Sequence, residues 1–250
     1  MKIQAFIFNW VGHEQNAVTL EQQLCGLCDV TVINSDSSVE NQHPAWHHLG
    51  DEAYFSAQWN KALELFEADV LFHIQADASF PCFAEILERC RFAVGEHDCG
   101  IYAPNVDYTF WTYDRSRLRA IDADLLEVPQ TDCTCWAIAR ELLERAPRVD
   151  PLANKFGWGI DWMMMATARL LGRKVARDYR FTLAHPRGTG YNTDTANRSA
   201  QAMLDSFPDD LREMRQLVRI DAERLRTRSK WERYYVLFQQ LKWKFGWRSG

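Results

Sequence analysis

The sequence predicts an α/β fold, a doubly wound and mostly parallel sheet flanked by helices, with further helices appended at the C-terminal end. Two observations predict it. Three units of a short apolar run followed by an amphipathic stretch fall before Gly95, the order that a parallel sheet with crossover helices requires. The apolar runs also end in polar clusters, as strands do at the ligand-binding edge of an open α/β sheet. A chain of 250 residues, 47% hydrophobic and 25% charged, has the apolar content to bury such a core.

Residues 3–8 are apolar and too few for a helix, so they read as a buried strand closed by Asn9. Residues 14–24 put Ala17, Leu20 and Leu24 on one helical face. Residues 30–33 form a second strand released into Asn34, Ser35, Asp36, Ser37 and Ser38. A helix over 51–66 carries Phe55, Trp59, Leu63 and Phe66 at helical spacing, and residues 69–74 form a third strand leading to Gln75 and Asp77. Pro81 opens the next helix, through Val94, at a first-turn position that needs no N–H.

The stretch 100–128 changes character. Residues 101–104 read as a strand and 108–113 are aromatic and alternating, which predicts a mixed or antiparallel part of the sheet. A strand over 131–137 and a helix over 139–145 follow. After Gly157-Trp158-Gly159, Asp161 opens an apolar helix ending at Gly172, and a strand over 174–184 delivers His185 at its end. Helices over 198–207, 209–228 and 230–245 complete the chain.

Composition narrows the function. A formal net charge of −5 argues against a nucleic-acid partner. Seven cysteines, an odd number without framework spacing, an N-terminus lacking a signal-peptide pattern and no membrane-spanning apolar run together predict a cytoplasmic setting. Cys25 and Cys28 are spaced as a redox or zinc pair, but no second pair at ribbon spacing accompanies them.

Asp36 and Asp77 each lie just past a predicted parallel strand, where two carboxylates would hold a hydroxyl, a base or a divalent cation; the alternative for each is an Asx turn that caps its loop. Asp161 is an acid at a helix start, fit to accept a proton or merely favoured by the helix dipole. Trp158 reads equally as core or as an acceptor platform.

The order of these signals, from Ile3 to His185, resembles the inverting glycosyltransferases of family 2, which use nucleotide-sugar donors on an A-type glycosyltransferase fold. Asn9 stands in the first loop. Asn34-Ser35-Asp36-Ser37-Ser38 is similar to the nucleotide loop, and Ala57 to Leu63, centred on Asn60, to the helix before the metal strand. Leu71 to Asp77 resembles the strand and its Asp-x-Asp signature, Gly157 to Asp161 the segment of the catalytic acid, and His185 the late metal ligand. Two departures stand out: Gln75 replaces the first acid of Asp-x-Asp, and Ile160 stands where the family often has Glu.

The resemblance implies a donor half over about 1–100, an acceptor half over about 101–195, and a helical extension over 196–250. It implies Asp161 as the base, Asp77 and His185 as ligands of Mn²⁺ or Mg²⁺, and a substrate set of Asn9, Asp36, Asn60, Gln75, Trp158, Gly159, Arg187 and Tyr191. Arg187 would meet phosphate from a glycine-bearing loop over 187–193. The partners implied are a nucleotide-sugar donor and a carbohydrate or lipid-linked acceptor, in surface-polysaccharide or glycan synthesis.

From Arg224 to Gly250, eight Lys/Arg stand against one acid, Glu232, interleaved after Lys230 with Trp231, Tyr234, Tyr235, Phe238, Trp243, Phe245 and Trp247. This fits a helix lying on the anionic inner face of a membrane, or else one packed on its own acidic domain or on a second subunit as a homodimer. Two rival functions remain: a degenerate member that binds a nucleotide sugar or partner protein without turnover, and a sugar-phosphate nucleotidyltransferase. The latter would want a Gly-rich basic loop after the first strand, which Asn9 to His13 does not supply.

Overall fold

The computed structural model describes residues 1–80, 82–107, 114–186 and 191–226, together with Tyr234 and Phe238. Nine strands join in one sheet: β1 (Ile3–Trp10), β2 (Asp29–Ser35), β3 (His47–His48), β4 (Val70–Gln75), β5 (Cys99–Val106), β6 (Arg119–Ala120), β7 (Leu125–Glu127), β8 (Cys135–Ala139) and β9 (Lys174–Leu183). Their order is β3-β2-β1-β4-β8-β5-β9-β7-β6. All long strands but β8 run one way: β1 is parallel to β2 and β4, and β5 to β9, whereas β8 lies antiparallel between β4 and β5. The sheet is thus mostly parallel, with the antiparallel component that the middle of the sequence predicts.

Helices α1 (Glu14–Leu24), α2 (Phe55–Leu65), α3 (Phe83–Glu96), α4 (Arg140–Arg145), α5 (Ile160–Leu170), α6 (Thr193–Asp205) and α7 (Asp209–Leu225) complete the described elements. The strands are buried on both faces, which is why they read as continuous apolar runs rather than as alternations. Trp59 of α2 meets Trp136 of β8 at 5.8 Å between ring centroids, and both rings are fully buried. Leu204, Phe207, Leu211 and Val218 bring α6 and α7 into the same core as the sheet.

Several boundaries differ from expectation for physical reasons. Helix α2 begins at Phe55, not 51, because the chain turns at Gly50 (φ +83°). Strand β8 starts at Cys135, not 131, because Asp132 spends a side-chain oxygen on the Thr134 N–H in a turn. The 108–113 strand, Pro81 as a helix opener, and the helix over 230–245 lie outside the described residues, apart from Tyr234 and Phe238 in helical conformation.

Candidate active site

Three parallel strands end side by side at one edge. In register, Asn9 of β1 faces Asn34 of β2, and Phe8 faces Gln75 of β4, so the residues after each strand share that edge. Strand β9 reaches the same edge from the far half: Ser79 and Ala184 exchange both backbone bonds, N to O 2.9 and 3.2 Å, which carries His185 to Asp77. Strand β8 runs the other way, so its beginning lies here; the Gln75 N–H donates to the Thr134 carbonyl at 3.0 Å and holds the 132–134 turn against the end of β4.

His185 Nε2 lies 3.2 Å from Asp77 Oδ1 and 3.1 Å from Gln75 Oε1, with 11% and 14% of the His185 and Asp77 side chains exposed. Burial works to lower the imidazole pKa, but the carboxylate of Asp77, assisted by Asp132, outweighs it and the net shift is upward. The backbone N–H of His185 donates to Asp107 Oδ1 at 3.1 Å, which fixes the residue at the strand end. Among the described residues no group of three or more His, Cys, Asp and Glu is arranged to hold a metal ion. The pair nonetheless suits Mn²⁺ or Mg²⁺, which take few protein ligands and complete their shell with phosphate and water. Asp77 Oδ1 is buried with the His185 ring at ion-pair distance as its neighbour, so a carboxylate oxygen, an imidazole and the Gln75 amide oxygen meet at one point.

Asp161 sits in the first turn of α5, half-buried. Its Oδ1 accepts from its own neighbour, Trp162 N, at 2.8 Å. Burial pushes its carboxyl up to about 7, the nearby charge of Asp132 adds to the rise, and backbone N–H groups of the helix start oppose it. Two glycines shape the approach. Gly157 (φ +74°) and Gly159 (φ +91°) both take left-handed backbone, and a Cβ at Gly157 would lie 2.5 Å from Phe55 Cδ1.

Beside this turn stands a wall of rings. Tyr191 stacks on Phe156 at 4.2 Å and its hydroxyl accepts from Trp158 Nε1 at 2.7 Å, while Tyr54 meets Phe156 edge-on at 5.2 Å. Trp158 and Tyr191 are therefore one unit, half-buried at the mouth of the Asp161 turn.

Other expected site residues are turned to the fold. Asn9 is fully buried and donates through Nδ2 to Asn34 Oδ1 at 2.7 Å. Asn60 donates through Nδ2 to the Val149 carbonyl at 2.7 Å, which ties α2 to the segment before Gly157. Asp36 does lie at the edge, but its Oδ1 accepts from Ser38 N at 3.0 Å and Ser38 Oγ at 2.5 Å, the Asx turn that was its alternative. Arg187, with the glycines beside it, lies outside the described residues.

One acid was overlooked. Asp132, 9% exposed, has a buried Oδ2 without a hydrogen-bond partner, 3.8 Å from the guanidinium of buried Arg177, and its charge acts on both Asp161 and His185. It precedes its strand instead of following it, so a search of strand ends passes it by.

With this geometry in place, similarity can be weighed. The sequence matches no protein-family model and no curated protein. Solved structures do match. GalNAc-T7 bound to UDP, GalNAc and Mn²⁺ superposes with a TM-score of 0.60 at 12% identity, over 85% of this chain and 49% of that one. Glucosyl-3-phosphoglycerate synthase from Mycobacterium tuberculosis, in complex with Mn²⁺, UDP and phosphoglyceric acid, gives 0.55 at 16% identity, over 83% and 80%. The fold is that of the A-type glycosyltransferases. Mannosyltransferase PcManGT from Pyrobaculum calidifontis, with GDP-Man and Mn²⁺, extends the likeness to 99% of this chain and 88% of that one, at a TM-score of 0.51 and 12% identity. The present chain spans about half the length of GalNAc-T7, so its glycosyltransferase-like sheet corresponds to part of that enzyme. At such identities the likeness concerns the A-type fold itself, and the chemistry rests on the residues of this edge.

Proposed function

We propose that this chain transfers a sugar from a nucleoside-diphosphate sugar to an acceptor hydroxyl with inversion at the anomeric carbon. The observation that carries the reading is the placement of Asp161 in a glycine-shaped first turn of α5, where burial also raises its pKa to about 7. An acid ionising near the working pH is the effective general base, since it is deprotonated yet still basic enough to hold a proton. As the acceptor oxygen bonds to the anomeric carbon, its proton passes to the Asp161 carboxylate. The bond from that carbon to the diphosphate breaks, and its electron pair leaves on the phosphate oxygen. Attack opposite the leaving group inverts the centre with no enzyme-bound intermediate.

Asp77 and His185, with Gln75 beside them, would hold Mn²⁺ or Mg²⁺, whose charge supports a leaving diphosphate. Asp36 would receive the nucleoside with the oxygen its turn leaves over. The Tyr54, Phe156, Trp158 and Tyr191 wall supports a carbohydrate or lipid-linked acceptor, because ring faces and edges pack on the C–H faces of sugars. Arg187 would meet phosphate. Polysaccharide or glycan synthesis at the inner membrane face is the setting this reading favours. No helix of the described residues is long and apolar enough to cross a membrane.

The test is a donor panel with Mn²⁺ and mixed glycan acceptors, read by released nucleoside diphosphate. Asp161→Asn should lower transfer by about 10²–10⁴-fold while keeping the thermal shift that UDP and Mn²⁺ give the wild type. Full transfer by Asp161→Asn removes the base assignment. Donor binding without turnover under every acceptor favours a binding module, the reading that Gln75 in place of an acid keeps in view.

A further inference from the structure

Away from this edge, one groove of about 720 Å³ is lined by Arg117, Arg219, Ile220, Glu223, Arg224 and Arg226. Four guanidinium groups share it with a single carboxylate, in a chain whose formal net charge is −5. The groove is built by two elements. The turn of 3₁₀ helix Arg115–Arg117 is held to the end of α7 by Arg117 Nη2, which donates to the Arg224 carbonyl at 2.7 Å. The final turns of α7 supply the other residues.

Carboxylates offset only part of this charge. Glu223 pairs with Arg226 at 2.9 Å, and Arg224 lies only 3.7 Å from Asp221. Arg219 is exposed and has no ion-pair partner among the described residues. Asp221 is itself bound more closely to Arg169 of α5, at 2.6 Å. Gathering guanidinium groups costs Coulomb energy that an anion would repay, and their planar forks suit phosphate oxygens in pairs.

The groove is separate from the nucleotide edge. Helix α5 starts at that edge beside Asp161 and runs for 11 residues, about 16 Å, to the end where Arg169 meets α7. The chain leaving the groove carries Arg228, Lys230, Arg233, Lys242, Lys244 and Arg248 with Trp231, Trp243 and Trp247. Basic residues interleaved with indoles are the composition that settles at an anionic lipid interface, whereas a free phosphate needs only the basic residues.

We infer that the arginine groove is a phosphate-recognition site for anionic phospholipid headgroups, and that it docks the far end of the molecule on a membrane surface. The inference does not depend on the transfer reaction. It adds the arginines of α7 and of the 115–117 turn to the basic residues of the tail sequence that follows.

Flotation of the full chain with vesicles tests it. The wild type should float with phosphatidylcholine–phosphatidylglycerol vesicles and remain behind with phosphatidylcholine alone. The doubly substituted Arg219→Glu, Arg224→Glu chain should bind at least about twentyfold more weakly, because each of the two basic residues lost near such a surface contributes about fivefold. Both side chains are exposed, and an unchanged circular dichroism spectrum and melting temperature establish that the variant is folded. Equal flotation of variant and wild type overturns the groove and leaves the tail as the sole contact. A groove-dependent thermal shift with inorganic pyrophosphate, without flotation of the wild type, overturns the lipid assignment.

Discussion

The base proposed at Asp161 implies a signature in stability as well as in rate. Its carboxyl moves from an ordinary value of 3.8 to about 7, chiefly through burial. Between those values the folded chain holds a proton that the unfolded chain has lost, so this group makes stability fall as pH rises through that window. Asp161→Asn should therefore melt higher than the wild type above pH 7 and converge with it near pH 4, in thermal scans across pH. A variant that melts lower at every pH would show the carboxylate to be structural. Asp132 gives a second residue-scale prediction. Its charge helps keep Asp161 protonated, so Asp132→Asn should move the rising limb of the pH–rate profile to lower pH; a limb left in place removes Asp132 from the site. The type of residue at 161 was legible in the sequence as an acid opening a helix. Its pKa was not, because burial depends on what packs over the turn.

At the scale of elements, the approach to α5 rests on Gly157. An alanine there meets two obstacles at once: left-handed backbone at φ +74° and the Phe55 ring 2.5 Å from its Cβ. The first costs about 1–2 kcal/mol and the second about 1–3 kcal/mol, so Gly157→Ala should lose roughly 2–5 kcal/mol in denaturant unfolding. A loss under about 0.5 kcal/mol would mean that Phe55 yields freely. The strands and helices of the first half were readable because each is local: a period in the sequence decides whether it is buried on one side or on both. Strand β8 was readable as a strand but not in direction. Its antiparallel course puts its beginning at the edge where the parallel strands end, and a rule built on parallel strands looks only at ends. Asp132 was missed for that reason, and the bond from Asn60 to the Val149 carbonyl was not legible because no pattern within α2 tells which way its amide faces.

Across the whole molecule, the far half of the sheet is tied together by charge in the core. Arg89 of α3 reaches Asp178 of β9 at 2.8 Å and Asp122 at 2.6 Å, and the Tyr102 hydroxyl donates to Asp178 at 3.3 Å. Asp178 is fully buried, so Arg89→Met would strand an uncompensated carboxylate. The expected loss is about 3–5 kcal/mol by urea unfolding, larger than for the double change Arg89→Met, Asp178→Asn, because a buried pair is costly chiefly when half removed. If both variants lose the same amount, the network acts by packing alone. The sequence by itself determined that this is an α/β chain with polar strand ends, an acid at one helix start and a histidine at a late strand end, since periodicity and turn chemistry are local properties. Only the tertiary structure decided which of those ends meet. The Ser79–Ala184 pairing brings Asp77 to His185, the reversed β8 adds Asp132, and α7 with the 115–117 turn assembles the arginine groove. Each joins residues far apart in the chain, whose proximity is set by sheet order and packing and leaves no local pattern to read.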